Sequence, residues 1–148
     1  MSRAAAVLLC AGGSTRMGFD KLLTPIAGRT AVERSMEALV LGGAEEIVFA
    51  VSAATRDFVA ALACPVPKTI VEGGETRAQS VYRALCAIEG ADIVAIHDAA
   101  RCMVSPETVR ESIASAEAFG SGVAAGRVTD TIMRLEGGRV VPLERSRL

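Results

Sequence analysis

The chain has 148 residues, 51% of them apolar but only 3% aromatic, and carries a net charge of −1. One domain of that length buries roughly two-thirds of its unfolded surface, and a core built from Ala, Val, Ile and Leu fits a parallel sheet covered by helices. Near-neutral charge removes the electrostatic case for nucleic acid or an anionic membrane as partner, and no apolar run approaches the length of a membrane span.

Met1-Ser2-Arg3 followed by apolar residues to Ala11 superficially resembles a secretory leader. Its apolar stretch is short and runs straight into a Gly/Arg loop, so Ala4 to Leu9 is read as a buried first strand. The loop is Cys10-Ala11-Gly12-Gly13-Ser14-Thr15-Arg16-Met17-Gly18-Phe19-Asp20-Lys21. A strand entering a Gly-rich turn that ends in Arg and Lys has the form of a phosphate cradle. Glycines admit phosphate oxygens to backbone N–H groups and the cations offset their charge. A Walker loop would need Lys-Ser/Thr directly after its last Gly, where Phe19 stands. A dinucleotide fingerprint would need G-x-G, where Ser14 stands two places after Gly12. Arg16 and Lys21 suit a triphosphate attacked at phosphorus; the plain alternative is a strand-to-helix turn with surface cations.

Thr30-Ala31-Val32-Glu33 is a capping-box pattern opening a helix with Val32, Met36, Leu39 and Val40 on one face, ended by Gly42-Gly43. Ile47 to Val51 reads as a second buried strand, Phe58, Val59 and Leu62 as a short helix, and Lys68 to Val71 as a third strand. Ala78, Val81, Tyr82 and Leu85 recur at helical spacing, predicting a helix over Glu75 to Glu89. Ile93 to Ile96 is a fourth strand, and Ser105-Pro106 caps a helix through about Phe119. Val123 to Val128 is predicted as a fifth strand. Thr131 to Leu135, Glu136-Gly137-Gly138 and Arg139 to Leu143 then read as a β-hairpin. The alternation predicts an α/β fold: an open, mostly parallel sheet with helices on both faces in a Rossmann-like arrangement, plus a C-terminal hairpin arm. One domain spans 1–148, with 129–148 as the arm. Ligands of such sheets bind beyond the carboxyl ends of the strands.

Three more polar clusters fall at those ends. Glu72-Gly73-Gly74-Glu75-Thr76-Arg77-Ala78-Gln79-Ser80 lies between the third strand and its helix, where a helix N-terminus presents N–H groups. A capped turn explains it equally well. His97-Asp98-Ala99-Ala100-Arg101 follows the fourth strand, and its small central residues leave room for a ribose or phosphate. An Asp98–Arg101 ion pair tying down a loop is the structural alternative. Asp130-Thr131 opens the hairpin and Arg145-Ser146-Arg147 closes it, as either a functional or a merely solvated arm. Cysteines at 10, 64, 86 and 102 lack C-x-x-C spacing and His97 is the lone histidine, so zinc is not expected. The thiols read as reduced and buried in a cytoplasmic protein.

Taken in order and spacing, C-A-G-G-S-T-R-M-G-x-D-K, G-G-E-T-R-x-x-S-V, H-D-A-A-R and D-T resemble the 2-C-methyl-D-erythritol 4-phosphate cytidylyltransferase family over Arg3 to Leu148. The resemblance implies transfer of a cytidylyl group from CTP to methylerythritol phosphate, giving CDP-methylerythritol and pyrophosphate on the non-mevalonate route to isoprenoids. By position, Arg16, Lys21 and Arg145 would be catalytic. Ala11, Gly12, Gly13, Gly74, Glu75, Ser80, Asp98 and Ala99 would contact CTP. Asp98, Arg101, Thr131 and Arg145 would hold the acceptor. Mg²⁺ would ride mainly on the triphosphate, without a dedicated protein site, and the arm would embrace a second subunit in a homodimer.

The chain departs from the family pattern at Cys102, where Pro is usual, and at Leu22, where Gln is usual; the segment between Arg16 and Lys21 is also short. Asp20-Lys21-Leu22-Leu23 leans towards molybdopterin nucleotidyltransferases. The family continues past the position of Leu148 through a further acceptor-binding segment and closing strands, so the expected chain lacks that portion and turns over slowly or not at all. The chemistry needs no general base, because a phosphate monoester with its second pKa near about 6 is already a dianionic nucleophile. Two polyanions must instead be brought together, which is work for positioned cations. Three other readings remain: a cytidylyl- or guanylyltransferase with ribitol phosphate or molybdopterin as acceptor, a truncated nucleotide-binding remnant without activity, and a dehydrogenase, which the missing G-x-G-x-x-G disfavours.

Overall fold

The computed structural model describes residues 2–12 and 21–147. Strand β1 (Ala4–Cys10) is buried along its whole length. Both of its edges are paired in parallel, with β2 (Glu46–Val51) on one side and β4 (Ile93–Asp98) on the other. Strand β3 (Lys68–Glu72) pairs with β2, giving the parallel order β3-β2-β1-β4. A strand covered on both faces needs an apolar residue at every position rather than at alternate ones, and Ala-Ala-Ala-Val-Leu-Leu-Cys supplies that run.

The pleat sends alternate side chains to opposite faces. Ala6, Leu8 and Cys10 of β1 join Ile47, Phe49 and Val51 of β2 under helices α1 (Ala31–Leu41), α2 (Ala53–Ala61) and α4 (Pro106–Phe119). Val7, Leu9, Val48 and Ala50 face α3 (Arg77–Leu85), which contributes Ala84 and Val81. Helices therefore cover both faces, as expected. The caps read from sequence are present. Thr30 Oγ1 accepts from the Glu33 N–H at 3.2 Å while the Glu33 carboxylate accepts from the Thr30 N–H at 2.6 Å. Those bonds from Thr30 hold the Glu33 carboxyl below its ordinary pKa. Ser105 caps α4 with Pro106 in its first turn, and Gly120 ends it at φ +81°. Helix α1 ends on Gly42, where an added Cβ would lie 2.5 Å from Val109 of α4, so glycine permits that helix pair to close.

Several boundaries differ from expectation. Helix α2 starts earlier, at Ala53, because Ser52 and Thr55 form a cap; the Thr55 hydroxyl also donates to the Cys10 carbonyl at 2.9 Å. Helix α3 starts later, at Arg77, because Gln79 folds back onto the Glu75 and Thr76 N–H groups. Strand β4 runs on to Asp98, so His97 and Asp98 belong to the strand and pair with Leu8 and Leu9. The predicted fifth strand, Val123 to Val128, is not formed. Gly122 backs onto α4, where an added Cβ would meet the Ser112 carbonyl at 2.0 Å. A gap of about 360 Å³ then separates Val123 and Ala124 from Val94 to His97. Among the described residues no strand pairs with it, so the segment has no ladder to join.

The hairpin is present as β5 (Met133–Glu136) and β6 (Arg139–Pro142), antiparallel. Gly137 and Gly138 turn it at φ +54° and +79°, the pair of positive angles a two-residue hairpin turn requires. Leu135 and Val140 are 73% and 65% exposed, so the arm leaves these apolar side chains uncovered, while Val141 and Leu143 are half-buried. The four cysteines are free thiols; Cys10 is buried but Cys86 is exposed, against the expectation that all are buried. Among the described residues no helix is long and apolar enough to cross a membrane.

Candidate active site

Parallel strands deliver their carboxyl ends to one edge of the sheet, and a cavity of about 390 Å³ opens there. Ala11 and Gly12 line it from the end of β1, with Lys21 from the far side of the first loop. Gly74, Glu75, Thr76, Arg77 and Ser80 form the wall between β3 and α3, and Asp98, Ala100 and Arg101 close it after β4. Residues from three separate sequence clusters thus meet at one place.

The β3–α3 wall is packed tightly. A Cβ on Gly73 would sit 2.3 Å from the Cβ of Ala11 and 3.2 Å from the Val51 carbonyl, so glycine alone lets this loop lie against the start of the first loop. A Cβ on Gly74 would lie 2.3 Å from that of Gln79. The Gly74 N–H donates to Ser80 Oγ at 2.9 Å, and Ser80 Oγ donates to the Thr76 carbonyl at 3.0 Å. Buried Ser80 therefore fixes the loop from beneath. The N–H groups of Glu75 and Thr76 are taken by Gln79 Oε1 at 2.9 and 3.3 Å. Sequence reasoning offers these amides to a ligand; the structure uses them to shape the wall.

Asp98 stands between two guanidinium groups. Arg77 Nε lies 3.0 Å from Oδ1 and Arg101 Nε 3.4 Å from Oδ2. The ion pair expected as the structural alternative is present, and it also sets charged groups on the cavity. The sequence reading gives Arg77 no role beyond its place in the motif, although a signal exists. A cation in the first turn of a helix opposes the helix dipole, so Arg77 at the start of α3 calls for a nearby acid. Ala99 is fully buried. Its N–H donates to the Leu9 carbonyl and its carbonyl accepts from Ser35 Oγ at 3.0 Å, so the backbone groups it would turn to CTP are engaged; Ala100 takes the place in the lining.

Gly13 and Arg16, together with Asp20, fall outside the described residues. Thr131 and Arg145 lie in the exposed arm and do not line the cavity; Arg145 donates to the Thr129 carbonyl at 2.6 Å. Among the described residues no group of three or more His, Cys, Asp or Glu is placed to hold a metal.

His97 packs half-buried beside this site, its Nε2 3.2 Å from the Arg101 carbonyl. Burial lowers its pKa from the ordinary 6.5, against smaller upward pulls from that carbonyl and from Asp98. The folded state thus resists protonation while the unfolded chain accepts it. The associated stability is complete above the unfolded value and is lost as pH falls below it. Urea midpoints should therefore decline between about pH 7 and pH 5, and less steeply in His97→Gln; identical slopes in both proteins would contradict this.

With the geometry in place, comparison with known proteins identifies its kind. The family model for 2-C-methyl-D-erythritol 4-phosphate cytidylyltransferase matches residues 4–148. The enzyme of that name from Deinococcus radiodurans is 39% identical over 146 residues, 96% of this chain and 60% of the relative. That from Cereibacter sphaeroides is 36% identical over 144 residues, 93% of this chain and 64% of the relative. The crystal structure of the Thermus thermophilus enzyme superposes with a TM-score of 0.72 at 31% identity, covering 99% of this chain and 66% of that one. The chain spans about 60% of the length of the curated relatives it matches. With Gly12 and Lys21 meeting residues of the G-G-E-T-R and H-D-A-A-R motifs on one cavity, the chain belongs to the 2-C-methyl-D-erythritol 4-phosphate cytidylyltransferase family.

Proposed function

We propose that the cavity binds CTP and that the chain carries the machinery for transferring its cytidylyl group to 2-C-methyl-D-erythritol 4-phosphate. The observation that carries this reading is the convergence of Ala11, Gly12, Lys21, Gly74, Glu75, Asp98 and Arg101 on one cavity of about 390 Å³, within the range of small-molecule sites. In the reaction an acceptor phosphate oxygen attacks the α-phosphorus of CTP, a new P–O bond forms, and the bond to the β-phosphate bridging oxygen breaks with pyrophosphate as leaving group.

Lys21 supplies a point charge at the triphosphate, and Arg16, by its family position, supplies a fork of donors. Gly12, with Gly13, lets phosphates approach the backbone. Gly74 and Glu75 meet the cytosine edge, with Ser80 acting through Gly74 rather than on the base itself. Asp98 and Arg101 face the acceptor, and Arg77 holds Asp98 in line. Among the described residues, Glu75 and Asp98 are the acids of the cavity lining, and Asp98 is already shared by two arginines. That set fits a Mg²⁺ held chiefly by phosphates, with one carboxylate at most. When bound, the ion would supply charge neutralisation on the triphosphate.

The exposed apolar side chains of β5 and β6 support a homodimer through 129–148, which would bring Thr131 and Arg145 to a cavity. Free thiols agree with a cytoplasmic setting. A second reading, nucleotide binding without turnover, is favoured by the placement of Thr131 and Arg145 outside the described cavity lining.

Pyrophosphate release, assayed with CTP, GTP and ATP against methylerythritol phosphate, ribitol phosphate and molybdopterin, separates these readings. The expected outcome is CTP binding, with turnover, where it occurs, confined to CTP and methylerythritol phosphate. Lys21→Ala should lower that turnover about 100-fold or more, the order lost with one transition-state donor, and weaken CTP binding less. A loss under threefold would contradict the assignment. CTP binding without pyrophosphate release from any acceptor would instead favour the second reading. Light scattering should give a dimer, and removal of 129–148 a monomer; a clean monomer of the whole chain would overturn the role of the arm.

A further inference from the structure

The wall Glu72–Thr76 is held by a set of anchors that α3 supplies almost alone. Its N–H groups go to Val51, Ser80 and Gln79. Its first two carbonyls, of Glu72 and Gly73, both accept from one nitrogen, Nη1 of Arg83, at 3.3 and 2.8 Å. Arg83 lies one turn beyond Gln79 and Ser80 on the same helix, outside G-G-E-T-R-x-x-S-V, and it does not line the cavity. Among these anchors it is the charged one, and hydrogen bonds from charged donors are roughly twice as strong as neutral ones. Its position also matters. Gly73 is the residue whose backbone presses on Ala11, with an ideal Cβ only 2.3 Å from that of Ala11. A shift at the Gly73 carbonyl is therefore transmitted both to Gly74 and to the first loop.

We propose that Arg83 is a positioning residue for nucleotide binding: by clamping the Glu72 and Gly73 carbonyls it sets the Gly73–Gly74 wall against Ala11 and so fixes the nucleotide end of the cavity. This rests on the reading above that the cavity takes CTP. The competing role is electrostatic only, a cation in the last turn of α3 complementing the helix dipole.

Three variants separate the two. R83A removes clamp and charge. R83K keeps a donor long enough to approach the same carbonyls. R83A/C86K returns a cation to the end of α3, three residues farther from the wall. Amide hydrogen exchange in ligand-free protein reads the wall directly, and calorimetric titration with CTP reads its consequence. In R83A, exchange at Gly74, Glu75 and Thr76 should accelerate about tenfold or more, and CTP affinity should fall about tenfold, the size of one charged hydrogen bond. R83K should recover most of both effects and R83A/C86K neither, with thermal midpoints similar throughout. Unchanged wall exchange in R83A overturns the proposal, as does full rescue by R83A/C86K. If R83A does not fold, the comparison of R83K with the parent decides: wall exchange faster by no more than threefold and retained CTP affinity support the clamp, and wall exchange at the unfolded-chain rate overturns it. Absence of CTP binding by the unsubstituted chain overturns the nucleotide reading separately, because the exchange result does not depend on nucleotide.

Discussion

Parallel pairing on both edges of a fully buried β1 is the constraint from which the site follows. Antiparallel neighbours would scatter the connecting loops between both ends of the sheet, whereas parallel strands send every carboxyl end to the same edge. Ala11 after β1, Gly74 after β3 and Asp98 at the end of β4 are far apart in sequence and share a cavity for that reason. Such pairing requires an all-apolar central strand, and the aliphatic, aromatic-poor composition meets it with Ala, Val and Leu on β1 and Phe49 as the largest fully buried side chain.

On that edge, polar groups are arranged to hold loops first and to meet ligand second. Ser80 and Gln79 consume amides of the β3–α3 connection, Thr76 caps α3, and Arg77 and Arg101 share one carboxylate. Among the described residues the cavity lining carries Lys21, Arg77 and Arg101 against Glu75 and Asp98, a modest cationic excess. Such an arrangement suits a polyanionic nucleotide, because charge stabilisation comes from groups already oriented before the ligand arrives. Thr55 ties the far end of β1 to α2 by donating to the Cys10 carbonyl, so the residue entering the first loop is also fixed.

Most of the scaffold was legible because its signals are local. Thr30 with Glu33, Ser105 with Pro106, and Gly137-Gly138 each prescribe a backbone state through groups a few residues apart, and each is realised. Signals that depend on partners were not legible. Val123 to Val128 has strand-like composition, but Gly122 packs on α4 and, among the described residues, no strand pairs with the segment. His97 and Asp98 read as loop because they are polar, yet β1 pairs with them to its last residues. At the site, Lys21, Gly74 and Asp98 from the motifs line the cavity, whereas Ala99 is turned into the core by its hydrogen bonds to Leu9 and Ser35. Arg77 was visible only through its misfit with the helix dipole, and Arg83 only through atomic contacts. The roles of Thr131 and Arg145 depend on what the arm meets, which no local pattern states.

The central claim is that nucleotide sits at the carboxyl edge between the first loop and the β3–α3 wall. A nuclear magnetic resonance titration of the labelled chain with CTP and Mg²⁺ tests it residue by residue. The account predicts shifts concentrated at the amides of Gly12, Lys21, Gly74, Glu75 and Ala100, with the hairpin at Met133–Pro142 little changed. Shifts confined to the groove between β4 and α4, or none at saturating CTP, would contradict it.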